Sequence, residues 1–139
     1  MRFHEELMGV YFDDLDAFQI LHNARYLLLF ERTLGSFWEM IGVRAFDPSA
    51  AGDHWHLVRS NSIDYLRPVQ GVQRVRVRVW IEKLGRTSLT FGFRLMPMGE
   101  DVDCAVGTRT IVRIEPGTRR PSPWTDEFRT KVGPWVRSV

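Results

Sequence analysis

Three things are scarce in this chain of 139 residues: cysteine, net charge and long apolar runs. The single cysteine, Cys104, cannot close an internal disulfide, which fits a reducing compartment and makes a cytoplasmic location the expectation. Nineteen Lys and Arg against 17 Asp and Glu leave a net charge of +2. That is too little for the footprint of a nucleic-acid binder, and no motif of that class is present. No run of about 18 apolar residues occurs, and no basic segment leads into an apolar stretch, so neither a membrane span nor a secretory leader is expected. The histidines at 4, 22, 54 and 56 form no convincing ligand set, His54-x-His56 alone being a weak one, so no metal is expected. Repeats and low-complexity tracts are also missing, and the length suits one domain spanning residues 1–139.

Aromatic residues are plentiful: nine Phe, five Trp and three Tyr, enough for a real core. Residues 3–12 (FHEELMGVYF) read as a first strand, with Met8, Val10 and Phe12 on one face and Leu7, Gly9 and Tyr11 on the other. Residues 22–42 read as a helix, because Leu27, Phe30, Leu34, Phe37, Trp38 and Ile41 recur at spacings of three and four. Leu28 and Leu29 widen that stripe, so the first half is apolar almost all round. Asn23 is a good cap type and Gly42 a good stop. Residues 43–54 read as a loop.

The period then changes to two. Stretches 55–66, 72–84, 87–97 and 102–115 read as four strands, divided by LGRT and MGED turns and announced by Pro68 and Gly71. In RVRVRVW (74–80) the arginines share one face and the valines the other. The arginine face could be solvated, or paired with acids on a neighbouring strand, ahead of any phosphate role. A short helical turn is expected in PSPWTDEFRTKVGPW, near the end of the chain. One long apolar helix followed by an antiparallel meander implies an α+β arrangement, a curved sheet wrapped around the helix.

Between first strand and helix stands YFDDLDAFQILHNARY, with Asp13, Asp14 and Asp16. From the residues alone, turn and capping roles come first for all three. The wider pattern changes the weight. Asp14-Leu15-Asp16, then AFQILHNA, Tyr26 and Phe30-Glu31-Arg32, followed by YLRPVQG (65–71) and EKLGRTSLTF (82–91), resembles the hotdog-fold acyl-CoA thioesterases of the 4-hydroxybenzoyl-CoA thioesterase-like group. The resemblance covers roughly residues 5–115.

That resemblance implies a hotdog fold and hydrolysis of an acyl-CoA to a carboxylic acid and free CoA. Asp16 matches the catalytic carboxylate, as nucleophile or general base, and Asn23 the helix start whose backbone N–H polarises the thioester carbonyl. Such a helix end suits the task, because its unpaired amides and partial positive charge favour a developing oxyanion. Asp13 and Asp14 keep their turn roles. Gln19 stands where many relatives have Gly and would crowd the turn beside the thioester. His22 is either a helix-start hydrogen bonder or a site residue, and Tyr26 follows it in the motif. Glu31 is either a site residue or the partner of an arginine.

Lys83 and Arg86 match basic residues near the nucleotide, the alternative being a solvated turn. Relatives join sheets into dimers or pairs of dimers, so a homodimer or homotetramer is expected. The 55–65 strand would then lie near a second copy's helix start, with His56, Arg59 and Asn61 as candidates from that side. No cofactor is implied, since coenzyme A belongs to the substrate. A non-catalytic binder of acyl-CoA or acyl carrier protein is the alternative; the His-with-acid pairing of a hotdog dehydratase is missing at the helix start.

Overall fold

The structure is a computed structural model that describes residues 2–43 and 52–137. Strand β1 (His4–Val10) leads through a 3-10 turn at Phe12–Asp14 to helix α1 (Asn23–Ile41). Strands β2 (His56–Tyr65), β3 (Gln73–Leu84), β4 (Ser88–Pro97) and β5 (Ala105–Arg113) follow, and α2 (Asp126–Val132) closes the order. The sheet runs β1-β3-β4-β5-β2, antiparallel throughout. All five expected strands and the expected terminal helix are present. Most of the loop expected at 43–54 lies outside the described residues.

Alternation decides which face each strand buries. Val75, Val77, Val79 and Ile81 are at most 1% exposed. In register beside them, Val77 meets Leu95, Val79 meets Phe93 and Ile81 meets Phe91. Against this apolar face α1 lays Tyr26, Leu29, Phe30, Thr33, Leu34 and Phe37, the buried stripe of a 3.6-residue period. Leu27 and Leu28 are half-buried on its flanks, whereas Glu31, Gly35 and Glu39 stay exposed. Gly42 ends the helix in the left-handed region at φ 85°, where a glycine carries no Cβ penalty. The terminal segment brings Trp124, Phe128 and Val132 into the same core as Phe37 and Phe91.

On the opposite face Arg76 and Arg78 are paired. Glu5, in register with Arg78, takes Arg78 at 3.1 Å and Arg76 at 3.5 Å. Arg78 also lies 3.8 Å from the centre of the Phe3 ring. Pairing with a neighbouring strand is therefore the alternative realised at Arg76 and Arg78.

Two edges remain, β1 and β2. Leu57 to Ser62 on β2 are all exposed, and a bulge falls between Val58 and Ser60. α1 runs antiparallel to this edge strand: Tyr65, at its end, bonds Asn23, while the His56 ring at its start lies 5.5 Å from Trp38. No helix of the described residues is long and apolar enough to cross a membrane.

Candidate active site

Asp16 begins a tight reversal. Its Oδ1 accepts from the Phe18 N–H at 2.8 Å and the Ile20 N–H at 3.2 Å, and its own N–H donates to Ile20 O at 2.8 Å. Short polar side chains fold loops this way because they offer the backbone a substitute acceptor. The turn is then fastened to the segment before β3: Leu21 donates to Val69 O and Gly71 donates to Gln19 O, both at 2.8 Å. One oxygen of Asp16 is thus fixed by the loop. The other has no hydrogen-bond partner among the described residues. Asp16 is half-buried.

The helix cap falls one residue before the one expected. His22, not Asn23, is the cap, its Nδ1 accepting from the Ala24 N–H at 3.1 Å. Its backbone oxygen takes the Arg25 N–H at 2.8 Å. An imidazole nitrogen can serve as the acceptor that a shorter Asn side chain ordinarily supplies. The consequence falls on Asn23, now the first helical residue. Among the described residues its N–H has no acceptor, while the amides of Ala24 and Arg25 are both satisfied by His22.

Asp16 and Asn23 line one cavity of about 300 Å³, together with Tyr26, Tyr65, Leu66, Arg67 and Pro68. Tyr65 donates its hydroxyl to Asn23 O at 3.1 Å, and its ring meets Tyr26 edge-on at 5.0 Å. Burial pushes the Tyr26 phenol up to about 12, outweighing an opposing backbone hydrogen bond at Val69. The neutral phenol is therefore favoured in the folded chain. Its contribution to stability is complete below the ordinary value of 10.0 and is lost as pH rises from there towards 12. Two units correspond to at most about 2.7 kcal/mol. Urea midpoints followed from pH 9 to 12 are expected to fall more steeply in wild type than in Tyr26→Phe; parallel curves would refute the shift.

The other sequence candidates are placed as follows. Gln19 sits at φ 63°, which explains glycine as the easy residue there. Its side chain is exposed and is not among the cavity's lining residues. Asp14 is buried and structural: Oδ2 accepts from the Tyr11 N–H at 2.9 Å, and its backbone oxygen takes the His22 N–H. Glu31 pairs with Arg109 at 3.0 Å, and Arg109 Nε donates to Asn61 Oδ1 at 2.8 Å. Arg59 is exposed at the β2 bulge.

Lys83 and Arg86 are exposed at the far end of β3. At about 3.3 Å per residue, Lys83 is roughly 33 Å along the strand from Gln73, which starts beside the Asp16 loop. Within one chain, then, Asp16, Asn23 and Tyr26 are brought together, and His22 flanks them as the cap. Gln19, Arg59, Asn61, Lys83 and Arg86 do not reach that cavity. Sequence reasoning assigned no role to Tyr65 or Arg67. Both lie inside the quoted YLRPVQG stretch, which was the available signal.

Comparison with known proteins bears on the family and the fold. The model of a family described as the thioesterase-like superfamily matches residues 10–132. The Bacillus subtilis protein YsmA is 24% identical over 123 residues, 86% of this chain and 78% of that protein. A crystal structure of a thioesterase from Thermus thermophilus, complexed with coenzyme A and zinc, is 26% identical with TM-score 0.79, covering 97% of this chain and 96% of the other. A 1,4-dihydroxy-2-naphthoyl-CoA thioesterase from Synechocystis is 16% identical with TM-score 0.83, covering 95% and 96%, a likeness of fold.

Proposed function

This chain belongs to the thioesterase-like superfamily, and from that premise we propose that it hydrolyses an acyl-CoA thioester to a carboxylic acid and free coenzyme A. The observation that carries the reading is a single cavity lined by a half-buried carboxylate with one unclaimed oxygen and by a helix-start residue with an unclaimed amide. The thioester carbonyl oxygen accepts from the Asn23 N–H, where the partial positive charge of α1 also acts. The free oxygen of Asp16 either attacks the carbonyl carbon, expelling the CoA thiolate, or takes a proton from an attacking water. Both routes consume one water and return Asp16 to its carboxylate form. Arg67, at the rim and paired with Glu100 at 3.1 Å, is a cation available to the substrate.

The bare edge of β2 supports assembly into a homodimer, or a pair of dimers, by antiparallel pairing with the same strand of a second copy. Full-length pairing of two His56–Tyr65 strands sets Tyr65 of one opposite His56 of the other. It also turns the Lys83–Arg86 end of one copy towards the Asp16 end of its mate, where the two cations can meet the phosphates of coenzyme A.

The test is thiol release by the wild-type protein from a panel of aromatic and aliphatic acyl-CoAs. Turnover supports the hydrolase. Measurable acyl-CoA binding without turnover overturns it in favour of a non-catalytic binder of acyl-CoA or acyl carrier protein.

A further inference from the structure

Among the described residues that line the Asp16 cavity, Asp16 and Arg67 carry charge. The others are apolar or neutral, and the Tyr65 hydroxyl is already committed to Asn23 O. Arg67 does not serve to neutralise Asp16, because its partner is Glu100. A carboxylate by itself repels a second anion and leaves an uncharged acyl chain undisturbed. A cation on the same wall gains nothing from an uncharged chain, since covering it removes water and returns no bond. It gains from an anion.

The backbone of Arg67 is fixed and its head is not. Leu66 and Arg67 both donate their N–H to Cys104 O, at 2.9 and 3.1 Å, so the side chain starts from a set place on the cavity wall. Its Nη1 donates to Glu100 Oε2 at 3.1 Å, in an adjoining polar cleft of about 280 Å³ that shares Arg67 and Pro68 with the cavity. The two side chains are 50% and 53% exposed, and an ion pair so open to water contributes little. Arg109 and Arg113, at 7% and 10%, are by contrast built into the fold. Arg76 Nη2 donates to Glu100 O at 2.9 Å, so the Glu100 backbone stays tied to the sheet whether or not its carboxylate holds Arg67. Rotation of the flexible arginine stem can carry the guanidinium from cleft to cavity without moving the backbone.

We propose that Arg67 selects the acyl group: it leaves Glu100 for a carboxylate at the far end of a short acyl chain, so the preferred substrates are coenzyme A monothioesters of dicarboxylic acids. The inference rests on the acyl-CoA reading above. A cavity of about 300 Å³ is roughly 8 Å across. The arm of coenzyme A between sulfur and diphosphate is long and uncharged, so a thioester held at Asn23 leaves the phosphates outside a space of that width. The far end of a short acyl chain stays within it.

The experiment compares wild type, Arg67→Gln, Arg67→Lys and Glu100→Gln on glutaryl-CoA and pentanoyl-CoA, which have the same chain length. The thioethers S-(4-carboxybutyl)-CoA and S-pentyl-CoA, which cannot be hydrolysed, and free CoA serve as calorimetric ligands. All three substitutions are on exposed side chains and are expected to melt as wild type does. Wild type is expected to prefer glutaryl-CoA. Arg67→Gln is expected to lower the glutaryl-to-pentanoyl ratio of kcat/KM by about tenfold or more, and Arg67→Lys by less. Glu100→Gln, which frees the guanidinium, is expected to raise the ratio about threefold. Free CoA should bind all four proteins alike.

Turnover with a ratio that Arg67→Gln leaves unchanged overturns the selection and leaves the hydrolase standing. Weaker binding of free CoA by Arg67→Gln also overturns it, by assigning Arg67 to the phosphates. A ratio that Glu100→Gln fails to raise overturns the competition between Glu100 and substrate. No turnover by wild type, with a preference for the carboxybutyl thioether that Arg67→Gln abolishes, overturns the hydrolase and keeps the selection. Wild type that neither turns over thioesters nor binds either thioether overturns both.

Discussion

Asparagine in place of Asp16 is expected to lower kcat/KM on the best acyl-CoA by a hundredfold or more, about 3 kcal/mol of transition-state stabilisation. The substitution is diagnostic because of how the carboxylate is built in. Oδ1 is held by the Phe18 and Ile20 amides, and an asparagine oxygen can accept both bonds, more weakly than a carboxylate does. The turn should survive, so melting should shift little. What is lost is the charge and nucleophilicity of the second oxygen, which the fold leaves uncommitted. Asp16→Ala would instead remove the turn's acceptor and should lose stability as well as rate. An Asp16→Asn protein with wild-type turnover would mean that the carboxylate is only a loop fastener.

The largest stability effect is expected at Phe30. It is 0% exposed, its ring stacks on Phe93 at 4.1 Å, and the Arg109 guanidinium lies 5.3 Å from it. Phe30→Ala removes the ring from the middle of the helix–sheet contact and leaves a void the surrounding strands cannot fill, at a cost of about 3–5 kcal/mol. Against a total of roughly 5–15 kcal/mol, such a loss brings the chain near its folding threshold. Phe30→Leu, which keeps much of the volume, should cost under about 2 kcal/mol. Urea unfolding measures both through the midpoint. Equal midpoints for Ala and Leu would show that the ring is not packed as described.

How far the sequence carried these features depended on the range of the forces involved. α1 was legible because Leu27, Phe30, Leu34, Phe37 and Ile41 report a local period, and β3 because valine and arginine alternate without a break. Asp16 and Asn23 were singled out by the family resemblance, the residues alone favouring turn and capping roles, and the structure sets both on one cavity. Three features were left open or missed. The cap at His22 depended on a ring nitrogen reaching the Ala24 amide, a choice that type preference among cap residues does not settle. Tyr65 and Arg67 enter the Asp16 cavity across more than 40 residues of chain, a contact that only the sheet order creates. Which arginines of β3 were paired was set by Glu5 on another strand, in register with Arg78. For the last two, long-range pairing rather than local preference supplied what the sequence left open.

The opposite placement of Tyr65 and His56 on β2 has a genetic consequence. In the two-fold pair proposed above, each reaction centre would draw its carboxylate from one chain and the Lys83 and Arg86 cations from the other. A chain disabled at Asp16 and a chain disabled at Lys83 and Arg86, brought together one to one, would therefore concentrate both lesions in one centre and leave its twin whole. Two separately defective alleles can complement each other, each chain supplying what the other has lost.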